Sequence, residues 1–283
     1  MVASPERFIL DPYTPSEMAQ KAETGGVAKA RLDTANTLML SVLAGAFIGL
    51  GAMFSTVVGT GSELGYGITR LLAGVSFCLG LVLVVVGGAE LFTGNNLVVM
   101  AWAHGKVSAA AVGRNWLIVY VGNFIGALAT AAGVYLSGIA ANDHHRVGVT
   151  ALLIAVAKVN LPWVEAFMRG VYCNALVCLA VWLSYSARTT TDKVSAVLFP
   201  ITAFVAAGFE HSIANMYFIP MGLLLRDDSA IIAATARGTV DLPNLTWLGF
   251  LWNNLLPVSL GNIVGGAGMV GLVYWFVYLR RAQ

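Results

Sequence analysis

Two polar stretches interrupt an otherwise oily chain, and both read Glu-x-x-x-x-Asn. The first is Gly87-Gly88-Ala89-Glu90-Leu91-Phe92-Thr93-Gly94-Asn95-Asn96, and the second runs from Glu210-His211 to Asn215. An imidazole changes charge near physiological pH, and an ionisable group at membrane depth is functional by default. His211 is therefore the candidate pore residue for handling a proton or a small anion, the other reading being a packed, hydrogen-bonded histidine. Thr93 supplies a hydroxyl and adjacent amides, to be used either on a solute or on the local backbone. Glu90, Asn95, Glu210 and Asn215 have two compatible readings. They line a pore at both breaks, or the glutamates cap backbone amides that an interrupted helix sets free.

The remaining polar residues sort by spacing. Lys158 stands just ahead of Pro162-Trp163, where it either concentrates anions at a vestibule or anchors a span at the headgroups. Glu165 and Arg169 share a helix face and pair there. Asn174, further round the same helix, points inward when that pair points sideways. Asn115, Asn123 and Asn262 fit the locking of spans to one another. Cys78, Cys173 and Cys178 lack metal-ligand spacing and read as small core residues, and His144-His145 reads as a solvated turn. Paired catalytic carboxylates and phosphate loops are lacking, and Gly59-Thr60-Gly61 is a turn. These features argue against an enzyme, a cofactor or a metal. The formal charge of +2 gives no footing for a nucleic-acid partner.

The elements that must position these groups follow from composition. Hydrophobic residues make up 58% of the 283 and charged ones only 11%, against roughly 25% charged in soluble domains. The expected fold is an all-α polytopic membrane protein. Leu71 to Ala89 and Leu91 to Ala103 are uncharged arms, neither of which comfortably spans a bilayer that needs about 20 residues. Val194 to Phe209 and Ser212 to Leu225 repeat the pattern. Each pair reads as one span broken at mid-depth, as spans 2 and 5 of six. The segments are an interfacial N-terminal segment over 1–33, a three-span repeat over 34–142, an outer connecting loop over 143–162, a second three-span repeat over 163–279, and a tail over 280–283. In 1–33, Ser16-Glu17-Met18-Ala19 opens an amphipathic helix, lying at the interface or gating the pore from below. The run Leu242 to Leu279, with Pro257, Gly261 and Gly265, suggests a lead-in segment followed by the last span. Gly45 and Gly49 allow close helix approach.

Six spans put both termini on one side. That side holds Arg7, Lys21, Lys29, Arg31, Lys106, Arg114, Arg188, Lys193, Arg280 and Arg281. The other holds Arg70, Arg146, Lys158, Arg226 and Arg237. This asymmetry places the termini in the cytoplasm. Val119-Tyr-Val-Gly-Asn-Phe-Ile-Gly-Ala127 recurs as Val258-Ser-Leu-Gly-Asn-Ile-Val-Gly-Gly266. With three spans in each half, the repeats must be inverted, and paired interrupted spans mark a transport site.

Along nearly its full length the chain resembles the formate/nitrite transporter family. The resemblance rests on Gly88-Ala89-Glu90-Leu91-Phe92-Thr93-Gly94, on Arg114-Asn115-Trp116-Leu117 through Tyr120-Val121-Gly122-Asn123, on Cys173-Asn174-Ala175-Leu176-Val177-Cys178-Leu179-Ala180-Val181-Trp182, and on Gly208-Phe209-Glu210-His211-Ser212-Ile213-Ala214-Asn215-Met216. It implies an aquaporin-like fold, a homopentamer with a pore in each protomer, a bacterial inner membrane location, and passage of formate, nitrite or hydrosulfide. It further implies that Lys158 is a vestibule lysine, His211 the central histidine, and Thr93 and Asn174 polar pore contacts. Leu91 and Phe204 would form a cytoplasmic constriction, with Phe77, Leu81, Val177 and Phe204 as apolar lining. Relatives can carry Asp at the first break where this chain has Glu90, an exchange that a structural carboxylate tolerates better than a solute contact.

A bare anion in an oily passage loses its hydration at a cost of many kcal/mol. The expected mechanism has Lys158 draw the anion in while His211 donates a proton or a charge-assisted hydrogen bond. Formic acid is far more acidic than a histidine near 6.5, so a competing account keeps the anion charged and uses His211 as counter-charge or gate. An uncoupled pore for small neutral solutes is the alternative class.

Overall fold

The computed structural model describes residues 11–235 and 242–280, and among them every regular element is helical. Helix α1 spans Pro15–Arg31. It starts at a capping box in which Thr14 accepts from the Glu17 amide and the Glu17 carboxylate accepts from the Thr14 amide, satisfying two orphan donors reciprocally. Helix α2, Thr34–Gly59, is capped by Asp33. Helix α3, Gly65–Gly87, is stopped by Gly88 at φ 80°, a left-handed conformation that glycine adopts without steric cost. After an irregular stretch, a 3-10 turn over Gly94–Val98 leads into the short α4, Val99–Ala103. Helices α5, Ala109–Leu136, α6, Arg146–Val159, and α7, Trp163–Ser184, follow. Helix α8, Thr190–Ala207, ends like α3, at Gly208 with φ 74°. Then come α9, Ser212–Leu225, the short α10, Ser229–Ala234, and α11, Gly249–Tyr278.

Six helices, α2, α3, α5, α7, α8 and α11, are long and apolar enough to cross a membrane. Lipid tails are as oily as leucine, so small residues rather than hydrophobic burial bring such helices together. A methyl group added at Gly45 would strike the Asn123 backbone of α5, and one at Gly261 or Gly265 would strike the carbonyls of Phe167 or Val171 in α7. Leu136, Phe199 and Leu248 stay exposed on the flanks, as lipid or a neighbouring copy requires.

Three expectations change. The first arm of the broken second element starts at Gly65, not Leu71, and its 23 residues reach the length of a span unaided. The presumed outer loop over 143–162 contains α6, whose Val147, Ala151, Leu152, Ala155 and Val159 are buried. Its apolar face was obscured by the polar residues before it and Lys158 near its end. The last run is one 30-residue helix rather than a lead-in and a span. Two π-helical stretches, Gly249–Leu255 and Val264–Leu272, lie within it. The first directly precedes Pro257, whose missing N–H and bulky ring disrupt the regular α ladder. Helix α1 packs Met18, Ala19 and Ala22 against Leu97, Met100, Cys178 and Trp182, and so lies under the first break. Residues 281–283 of the tail, together with Arg7, Arg237 and Asp241, lie outside the described residues.

Candidate functional site

The two breaks are held by the same bonds made with different residues. At the first, the Glu90 amide donates to Leu40 O, the Phe92 amide to Asn123 Oδ1, and Asn123 Nδ2 to the carbonyls of Ser41 and Glu90. At the second, the Glu210 amide donates to Arg169 O, the Ser212 amide to Asn262 Oδ1, and Asn262 Nδ2 to the carbonyls of Gly170 and Glu210. Buried peptide groups freed by a broken helix must find partners; one asparagine per break supplies them.

The glutamates do not cap amides. Glu90 accepts Lys29 Nζ at 2.6 Å and Asn95 Nδ2 at 2.6 Å. Glu210 accepts Lys158 Nζ at 2.8 Å and Asn215 Nδ2 at 2.7 Å. Asn115 and Asn254 complete the sets, each accepting from the break asparagine and donating to the carbonyl of the matching lysine. A buried carboxylate needs a counter-charge more than it needs an amide, and a lysine reaches each one from a neighbouring helix. Lys29 and Asn254 were missed because their partners are remote in sequence; the only signal was that α1 carries a lysine near its end, as α6 does.

His211 is the N-cap of α9. Its Nδ1 accepts the Ala214 amide at 3.0 Å, and its Nε2 lies 2.9 Å from Thr93 Oγ1. A peptide N–H can only donate, so Nδ1 is unprotonated and the neutral ring carries its hydrogen on Nε2. The Phe204 ring stacks on the imidazole at 5.8 Å, and Phe77 meets Phe204 edge-on at 5.5 Å. Asn174 is fully buried behind Thr93, donating to the carbonyls of Thr93 and Asn262. Thr93 and His211 are thus brought together, with Asn174 fixing the Thr93 backbone.

Two cavities approach this cluster from opposite ends. The first, about 250 Å³, is lined by Lys29, Glu90, Leu81, Leu91, Asn95 and Lys193 among others. The second, about 730 Å³, is lined by Lys158, Glu210, His211, Phe77, Phe204 and Arg70 among others. One face of α3 walls both: Arg70, Ala73 and Phe77 face the second, and Leu81, Val84 and Val85 the first. Phe77 and Leu81 are one helical turn apart, about 6 Å along the axis. Leu91 and Phe204, expected at one constriction, line different cavities, because Leu91 follows the glutamate of the first break whereas Phe204 lies in the last turn of α8, ahead of the second. Val177 is buried in the core and lines neither cavity.

The comparisons agree with this architecture. The family model described as formate/nitrite transporter matches residues 16–276. The formate channel FocA of Escherichia coli strain K12 is 42% identical over 274 residues, covering 96% of each chain. A probable formate transporter of Methanothermobacter thermautotrophicus is 38% identical, covering 95% of this chain and 98% of its own. Among solved structures, a pentameric formate channel with formate bound superposes with a TM-score of 0.81 at 41% identity, covering 87% of this chain and 98% of that one. Helices of membrane-spanning length, two breaks locked by matching asparagines and a match over nearly the whole chain lead to one conclusion: this protein belongs to the formate/nitrite transporter family.

Proposed function

We propose that the chain forms a membrane channel for formate and similar small monovalent anions of weak acids, with one conduit in each protomer of a homopentamer. The family is one of transporters, so the protein is not an enzyme. The observation that carries the reading is the continuous α3 face, which runs from one cavity to the other past the His211–Thr93 pair. The relative with formate bound supports both the solute and the pentamer.

The matching bonds at the two breaks support an aquaporin-like inverted repeat of three spans plus three, with spans 2 and 5 broken. In this reading α1 and α6 are also counterparts, each bringing a lysine to a break glutamate. The first cavity then faces the cytoplasm with both termini, and the second faces outward across a bacterial inner membrane.

At the join the anion meets His211 as a neutral donor. A proton given up from Nε2 leaves an imidazolate unless Nδ1 is protonated first, and protonating Nδ1 breaks its bond to the Ala214 amide. The ring is therefore suited to offer a hydrogen bond from Nε2 once Thr93 yields its place. The aromatic pair Phe77 and Phe204 keeps water thin there.

Formate and glycerol fluxes measured in parallel in proteoliposomes test the assignment. Formate flux well above that of empty vesicles, with little for glycerol, is expected; the reverse order makes the protein a neutral-solute pore. Competition by nitrite, acetate and hydrosulfide ranks the anions. Current accompanying formate in the wild type supports the neutral-donor role. Electroneutral uptake that turns into current in His211→Asn reassigns His211 as a proton donor.

A further inference from the structure

The two break lysines are poorly placed to make the cavities attractive to anions. Each is matched by a carboxylate, at 2.6 Å for Lys29 and 2.8 Å for Lys158, and opposite charges that close largely cancel a few ångströms away. Arg169, in the wall of the second cavity, is likewise paired with Glu165 at 3.0 Å. Each cavity has one further cation. Arg70 lines the second and Lys193 the first, and among the described residues neither forms an ion pair with a carboxylate within 4.0 Å.

Arg70 also sits where an anion would otherwise be repelled. Its Nε donates to Ala206 O at 3.2 Å, and its Nη2 donates to Val205 O. Those carbonyls close the C-terminal turn of α8, the negative end of a helix dipole, at the lip of the second break. The guanidinium covers them while its Nη1 makes no hydrogen bond to a described residue. Lys193, in the first turn of α8, is half-buried in the wall of the opposite cavity.

We propose that Arg70 and Lys193, rather than the two ion-paired lysines, set the electrostatic preference of the conduit for anions, one at each mouth. The proposal rests on the anion-channel reading above and deepens it. Its chemistry is general for small monovalent anions: an uncompensated positive charge in a cleft with low-dielectric walls raises the local concentration of anions.

The test is formate flux into proteoliposomes carrying wild type, Arg70→Gln, Arg70→Lys, Arg70→Glu and Lys193→Gln, at about 20 mM and about 500 mM of an impermeant salt. Expected is a fall of about threefold to tenfold in Arg70→Gln at low salt, steeper in Arg70→Glu and mostly restored in Arg70→Lys. The deficit shrinks at high salt, where the screening length drops below about 5 Å. Lys193→Gln, which breaks no bond to the fold, should show the same salt-sensitive fall and keeps the proposal testable if Arg70→Gln fails to fold. Wild-type flux in both neutral variants at both salts overturns the proposal. So does a salt-independent loss that Arg70→Lys does not restore, which makes Arg70 a helix cap alone. Wild type that passes no formate overturns the channel reading itself.

Discussion

At the scale of single residues, the breaks are built from asparagines and ion pairs that satisfy each other, with little left over for a solute. The Lys158–Glu210 pair is nearly buried, its side chains 14% and 5% exposed. Removing one partner from such a pair costs about 3–5 kcal/mol, because the other charge is left uncompensated, whereas replacing both groups together is much cheaper. Glu210→Gln is therefore expected to lower the melting temperature in detergent markedly, and adding Lys158→Met to recover most of the loss. If the single and double variants melt alike, the two groups do not act as a pair. The sequence made Glu90, Asn95, Glu210 and Asn215 visible because a carboxylate in an uncharged run stands out. It could not reveal what they hold, since Lys29, Asn115 and Asn254 come from other helices. His211 was visible as an ionisable group at a break; its role as N-cap of α9, which fixes the tautomer, follows only from the 3.0 Å contact with the Ala214 amide.

At the scale of elements, the helices whose residues repeat an apolar pattern were legible, and those that borrow their stability from a neighbour were not. Spans α2, α5 and α7 follow from long uncharged runs. Helix α6 is short, and its Lys158 end reads as loop until Glu210 is seen to receive it. Helix α1 announces itself more clearly through its capping box. The Glu17 carboxyl is held below its ordinary value of 4.5, chiefly by the Thr14 amide and then by the Thr14 hydroxyl. Because the folded value is lowered, the box contributes fully above the unfolded value and is lost as pH falls through the folded one. Protection of the amides at the start of α1, taken as the exchange rate relative to the intrinsic rate at each pH, should therefore be kept at neutral pH and lost as pH falls through and below the ordinary carboxylate range. Glu17→Gln should abolish that acid dependence. A dependence that survives the substitution assigns it to another group. Packing between spans makes a sharper demand. Gly45→Ala would drive a methyl into the Asn123 backbone, so a destabilisation of about 1–3 kcal/mol is expected from overpacking. Gly25→Ala, which meets nothing within 4 Å, should be neutral or stabilising, and equal effects at the two sites would contradict the close α2–α5 approach.

At the scale of the whole molecule, the inverted arrangement proposed above accounts for two cavities that look alike yet differ in contents. Each cavity has a lysine–glutamate pair and one further cation, as duplicated halves of opposite orientation would provide, but only the second break carries an imidazole; the first has Leu91 at the matching place, one residue past its glutamate. An inverted repeat therefore need not make a symmetric pore. The orientation itself has a direct test, because α1 and the turn before α6 must lie on opposite sides of the membrane if the halves are inverted. Gln20 and Ala141 are exposed, whereas Cys78, Cys173 and Cys178 are buried, so cysteines introduced at the two exposed sites should react without competition. A membrane-impermeant maleimide is expected to label Ala141→Cys in intact spheroplasts and Gln20→Cys only in inverted vesicles. Both sites labelled from the same side would break the inverted repeat. Gln20→Cys labelled from outside and Ala141→Cys from inside would keep the repeat but reverse the molecule, contradicting the excess of lysine and arginine assigned to the cytoplasmic side.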